Sequence, residues 1–242
     1  MSKETQIPWA SGPGEILRHG LDLLKRDNDT NRRLAMISID NSVELMIKTF
    51  LGLPKRVNGL TITRKEYQEI SESFPKLLDA LEAHATDKLD GIDLGVIEWY
   101  HRLRNELYHQ GNGLTVERDK VVIYAELANL LFKNLFGQEL VNRATPQTEL
   151  LGEFMEAWVS LESGLRDLAN RNSLLGTTPK GMLSVIKFLE DAALINRHEM
   201  KELREIQKIR NEIVHGVTDY KDIVTPPLVN RVKNLGKLFS EQ

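Results

Sequence analysis

The sequence predicts an all-α protein made of two tandem, pseudo-symmetric helical bundles, and three observations point there. Apolar residues recur at helical spacing along most of the chain, while strand-like alternation is nearly absent. A polar stretch containing proline, NRATPQTE at 142–149, interrupts that pattern and predicts one domain over residues 1–143 and a second over 144–242. Finally, RNELYH at 104–109 is echoed by RNEIVH at 210–215, with the polar letters kept and the apolar ones exchanged. An internal duplication accounts for such an echo.

The elements follow from period and punctuation. Pro13 to about Lys25 reads as a first helix, with Pro13 at its first position and Ile16, Leu17, Leu21 and Leu24 on one face. A longer helix runs from about Asn31 to Phe50 through Leu34, Ile37, Val43, Met46 and Ile47, stopping near Gly52 and Pro54. RVNGLTIT reads as a loop, and Thr63 with Glu66 forms a capping box that restarts helix through Leu77, Leu78, Leu81 and Leu89. The first echo lies on a helix over roughly Asp93–Gln110 that ends at Gly111-Asn112-Gly113, and another helix covers about Arg118–Phe136. Thr145 is a candidate N-cap for a long helix from Pro146 to about Asn170. Further helices are predicted from Pro179, over Arg197–His215 with Asn196 and Glu199 as its capping box, and over about Pro227–Phe239.

The 242 residues are 41% hydrophobic, enough for a buried core, and the formal net charge of −3 excludes a general positive field drawing the protein onto nucleic acid. Nucleic-acid contact, if made, is local. Without cysteine there is no disulfide, thiolate metal site or cysteine nucleophile. The N-terminal MSKETQIPWASGPGE has no apolar run of the signal-peptide kind, and no stretch reaches the eighteen or so apolar residues of a membrane span. A cytoplasmic protein without membrane contact is expected. His19, His84, His101 and His198 show no metal spacing, HExxH and GxSxG are absent, and the glycines at 12–14 and 111–113 lack a phosphate-loop context. No cofactor and no metal are expected.

Shifting the sequence by 106 positions aligns Ile97, Tyr100, Leu103 and Leu107 with Leu203, Ile206, Ile209 and Ile213, all apolar or aromatic. Arg102, Arg104, Asn105, Glu106 and His109 then meet Lys208, Arg210, Asn211, Glu212 and His215. At about 100° per residue, His109 lies about 200° round from Leu107, away from the core face. Arg102, Asn105, Glu106 and His109 share one outer stripe, as do Lys208, Asn211, Glu212 and His215. Arg104 and Arg210 sit off it, and their long arms are expected to swing toward its edge. A solvated face with Arg102–Glu106 and Lys208–Glu212 ion pairs would explain one copy, but it gives no reason to keep Arg-Asn-Glu and His in register twice.

Arg, a polar residue and His at the end of a bundle helix resemble the signature of the HEPN superfamily of small α-helical bundles, many of them metal-independent endoribonucleases of toxin–antitoxin and defence systems. The resemblance is strongest over residues 93–112 and 199–216. It implies one composite active site from two motifs, formed within the chain or in a homodimer, with Arg104, His109, Arg210 and His215 catalytic and Asn105 and Asn211 the polar residues after Arg. It also implies an acidic residue on an earlier helix, with Glu44 and Glu162 as candidates, an RNA substrate, and an antitoxin or activator protein as partner.

The chemistry fits. Metal-free RNA cleavage removes a proton from a 2′-OH, stabilises the phosphorane and protonates the leaving 5′ oxygen, giving 2′,3′-cyclic phosphate ends. Imidazole serves as acid or base near neutral pH, and arginine offers a planar fork of donors to phosphate. Asn105 is spaced to orient His109, and Glu106 to favour its imidazolium. Two other readings remain open from the residues alone: a non-catalytic module binding nucleotide, RNA or a protein, and a purely structural scaffold.

Overall fold

The computed structural model describes residues 7–109, 115–140, 146–172, 181–215 and 217–240; it is all-helical, with no strand among the described residues. No described helix is long and apolar enough to cross a membrane. The chain divides into two compact units, Met1–Asn142 and Arg143–Gln242.

In the first unit α1 spans Ser11–Lys25 and α2 spans Asp29–Gly52. Pro13 is the third residue of α1 rather than its first. It is tolerated there because none of the first four N–H groups of a helix has an acceptor inside it. The buried face of α1 is Leu17, Gly20, Leu23 and Leu24, with Ile16 and Leu21 half-buried beside it. At Gly20 the two helices approach closely: a Cβ there would lie 2.9 Å from Ile39 Cγ1. Asn28 caps α2, its side chain accepting from the Asn31 N–H at 2.9 Å.

Helix α2 is central, with α1 and three later helices of this unit packed on it. Leu34 is 44% exposed, so the α2 core stripe is Met36, Ile39, Val43, Met46 and Ile47, and it also buries Asp40 and Ser42. Ser42 Oγ donates to the Pro13 carbonyl at 2.7 Å. The expected loop begins with a single turn, α3, Lys55–Asn58, closed by Gly59 at φ 79°. The Thr63–Glu66 capping box forms in both directions at 3.2 Å and opens α4, Arg64–Ile70. The run expected to continue through Leu89 is instead broken into α4, α5 (Phe74–His84) and a 3-10 turn at Thr86–Lys88. Pro75 is the reason for the first break: it has no N–H to give a preceding turn and excludes helix before it. Helix α6 covers Leu94–His109 and α7 covers Arg118–Phe136; α5, α6 and α7 are the other helices that pack on α2.

The second unit contains α8 (Pro146–Asn172), α9 (Met182–Asp191), α10 (Arg197–Val214), a turn α11 (Tyr220–Ile223) that the apolar period did not announce, and α12 (Pro226–Ser240). The expected cap Thr145 and helix start at Pro179 lie outside the described residues; α9 is capped from Gly181. Helix α12 packs along α8, and α9 contacts both α8 and α10. Where Gly236 of α12 faces α8 a Cβ would be accommodated, 3.5 Å from the Leu161 nitrogen. The Asn196–Glu199 capping box opens α10. From α12, Arg231 grips Glu202 through Nε and Glu205 through both terminal nitrogens at 3.2 Å, tying α12 to the echo helix α10. The ion pairs hold the Arg231 guanidinium above its ordinary pKa, the bond to Glu205 contributing most. Helix α9 ends in a Schellman motif, Leu194 N–H to Leu189 O and Ala193 N–H to Glu190 O, both 2.9 Å, with Ala193 at φ 54° where glycine is usual.

Candidate functional site

The two echo helices bury matching registers. On α6 these are Ile97, Tyr100 and Leu107, and on α10 Leu203, Ile206 and Ile213, while Leu103 and Ile209 are half-buried. The arginines also turn inward, which corrects the expectation that their arms reach the outer ridge. Arg104 retains 19% side-chain exposure and Arg210 is 3% exposed overall. Helical register explains it: Arg104 follows Ile97 by seven residues and Tyr100 by four, and so projects over the core stripe.

In unit 1 the reason for this burial is Asp40, fully enclosed on α2. Its Oδ1 accepts from the Tyr124 hydroxyl at 2.7 Å, and its Oδ2 lies 2.9 Å from His101 Nδ1 and 3.3 Å from Arg104 Nε. Arg104 Nη2 donates to Asn41 Oδ1, and its Nη1 to Asn105 Oδ1 at 2.8 Å. The His101 ring stacks on Phe74 at 3.9 Å, and the Tyr100 and Tyr124 rings stack at 4.5 Å. Burial, reinforced by the Asp40 charge, pushes the Tyr124 hydroxyl well above its ordinary pKa, and burial raises Tyr100 as well. A carboxyl group is tolerated in the interior when charge and hydrogen bonds compensate its desolvation, and here α6 supplies them through His101 and Arg104 and α7 through Tyr124.

In unit 2, Arg210 Nη1 donates to Asn211 Oδ1 at 3.2 Å, the same internal contact as Arg104 to Asn105. His215 is exposed, just past the last turn of α10, its backbone N–H bonded to the Asn211 carbonyl at 3.0 Å. The position matching His101 is Gln207, 8% exposed, with an Oε1 that makes no hydrogen bond among the described residues.

The other predicted residues fall as follows. Arg102 is exposed and pairs with Glu98 at 2.5 Å rather than with Glu106, which is exposed; Lys208 does pair with Glu212, at 3.6 Å. Glu44 forms a half-exposed ion pair with Lys48 at 2.6 Å, one turn along α2 from the acid that meets the motif. Glu162 is buried rather than a surface residue, accepting from Trp158 Nε1 at 3.0 Å and from Arg166 Nη2 at 2.8 Å. His109 ends α6, and its side chain lies outside the described residues.

Asp40, His101 and Tyr124 were not singled out from the sequence, although a signal existed. Asp40 occupies an apolar slot, four residues after Met36 and three before Val43, and His101 lies four after Ile97. An acid inside one stripe, with a histidine and an arginine inside another, announces a buried polar cluster. Among the described residues no three His, Asp or Glu side chains gather as metal ligands. Comparison with known protein families, curated proteins and solved structures yields no match to this chain.

Proposed function

We propose that the chain is a metal-independent endoribonuclease of the HEPN type, its two pseudo-symmetric RNxxxH helix ends acting together on one RNA phosphodiester, within the chain or across a homodimer. The observation that carries this reading is the repeated bond from arginine Nη1 to the following asparagine Oδ1, at 2.8 Å in one unit and 3.2 Å in the other. A solvated charged face has no use for it, since such a face leaves its side chains free. Here the arginine is withdrawn and the asparagine is held. In this reading His109 and His215 move the protons, Asn105 and Asn211 orient the imidazole or the phosphate, and the arginines act as fixed positive charge for the phosphorane. Glu106 and Glu212, with Arg102 and Lys208, flank the site on the open ridge. A cytoplasmic nuclease of this kind needs restraint, so an antitoxin or activator protein belongs to the proposal.

A second reading, a non-catalytic module for RNA or a protein, is favoured by the burial of Arg210, which takes its guanidinium away from solvent. One experiment separates the two. RNA incubated with the protein in EDTA yields fragments ending in 2′,3′-cyclic phosphate if the enzyme reading holds, and both His109→Ala and His215→Ala abolish them. Retention of RNA without cleavage sinks the nuclease and supports the module.

A further inference from the structure

We infer that His101, fixed by Asp40 and set beside Arg104, is an acid–base group of unit 1 that takes the ribose hydroxyl of a nucleotide at Nε2, additional to the motif histidines. The inference rests on the ribonuclease reading for its catalytic step but not for the binding it requires. Three features of the ring carry it. Asp40 is fully buried and its other oxygen is tied to Tyr124, so the carboxylate cannot rotate away. An ionised carboxylate only accepts hydrogen bonds, so Nδ1 is the donor of the 2.9 Å contact, and Nε2 is the nitrogen that the neutral ring leaves unprotonated. Phe74 stacks on the ring at 3.9 Å and removes its remaining freedom. Nε2 makes no hydrogen bond among the described residues, and 14% of the side chain is exposed.

A ring held this firmly, with its basic nitrogen uncommitted, has the form of an oriented general base. The charged and titratable groups facing it are Asp40 from α2, Arg104 from its own helix and Tyr124 from α7. Asp40 and Arg104 place opposite charges beside the ring, 3.3 Å apart. Nε2 then accepts the proton of a ribose 2′-OH as the 2′-oxygen bonds to phosphorus. The bond from phosphorus to the 5′ oxygen breaks, and that oxygen takes a proton from the imidazolium of a motif histidine. Arg104 keeps a fixed positive charge nearby, held by Asn41 and Asn105. In unit 2 the matching Gln207 has no group that titrates, so the repeated motif there stands without such a ring.

The test uses the full chain and the probe uridine 3′-monophosphate. Imidazole nitrogen resonances are recorded by NMR during titration of wild type, with His101→Gln identifying the His101 signal. Glutamine is the residue the sister helix already buries at this register, and circular dichroism checks the fold. A saturable shift of the His101 Nε2 signal is expected, and no shift at any soluble concentration of the probe overturns the site. On RNA in EDTA, His101→Gln is expected to lower kcat by roughly 100-fold while KM changes far less. A wild type that cleaves RNA and a His101→Gln variant equally fast overturn this inference alone. A wild type that never cleaves RNA, with His101 still responding to the probe, removes the ribonuclease reading and leaves the nucleotide site standing.

Discussion

Replacing Asp40 by Asn tests whether the motif arginine depends on the buried acid. Asparagine keeps the shape. With its amide turned to the Tyr124 oxygen, its carbonyl still accepts from His101 Nδ1 as the carboxylate does at 2.9 Å. What is lost is the acceptor of the buried Tyr124 hydroxyl, 2.7 Å away, and the negative charge 3.3 Å from Arg104 Nε. Removing one partner of a buried ion pair costs about 3–5 kcal/mol. Arg104 retains 19% exposure and two asparagine acceptors, which lowers the expected cost to about 2–3 kcal/mol for this pair. That corresponds to roughly 30- to 150-fold faster amide exchange wherever exchange requires unit 1 to open. Hydrogen exchange read by mass spectrometry on peptides of α2, α6 and α7 measures it. A change below about threefold refutes the argument. So does strict additivity of Asp40→Asn with Arg104→Gln, because residues in one ion pair must couple.

Three other expectations concern residues outside the repeated motif. Ala193→Gly relieves the left-handed residue of the α9 Schellman motif and raises stability by about 1 kcal/mol, seen as a higher urea midpoint. Gly20→Ala and Gly236→Ala should move stability in opposite directions. The first forces a Cβ to 2.9 Å from Ile39 and costs about 1–3 kcal/mol, while the second meets only ordinary contacts and gains about 0.5–1 kcal/mol in helix propensity. Thermal melts of both variants that shift the same way would contradict the packing described. Alkaline pH should loosen unit 1. Tyr100 and Tyr124 have folded pKa values above the unfolded value near 10, so their contribution is complete below about pH 10 and lost above it, by about 1.4 kcal/mol per pH unit for each tyrosine. Urea titrations at a series of pH values check the slope, and Tyr124→Phe should reduce it by about half.

What the sequence revealed of this architecture depended on how local the cause was. The capping boxes at Thr63–Glu66 and Asn196–Glu199 are written within four residues, and both form. Helix α7 runs from Arg118 to Phe136 as its apolar period predicts. The break before Pro75 was legible in principle, since proline forbids the preceding turn, but the leucine period running across it concealed the interruption. Which acid faces the motif was not local at all. Asp40 and Arg104 are brought together by the packing of α6 on α2, and Glu44, a candidate for the acid on an earlier helix, lies one turn away on the wetter side. The direction of the arginines failed for a related reason. A guanidinium is charged enough to suggest the outer ridge, yet the register places it inside, and a partner buried elsewhere in the chain makes that place tolerable.

The enclosure of Asp40 also has a genetic consequence. If the proposed ribonuclease activity harms cells and they are selected for escape from it, substitutions at Asp40 and Arg104 should be recovered as strains in which the polypeptide itself is scarce, cleared by proteases because its first unit opens. Substitutions at His215, which stands exposed beyond the end of its helix, should be recovered as strains that accumulate the polypeptide at full abundance. An immunoblot of the escape mutants would therefore sort the letters of the duplicated motif into those that keep the chain alive and those that make it act.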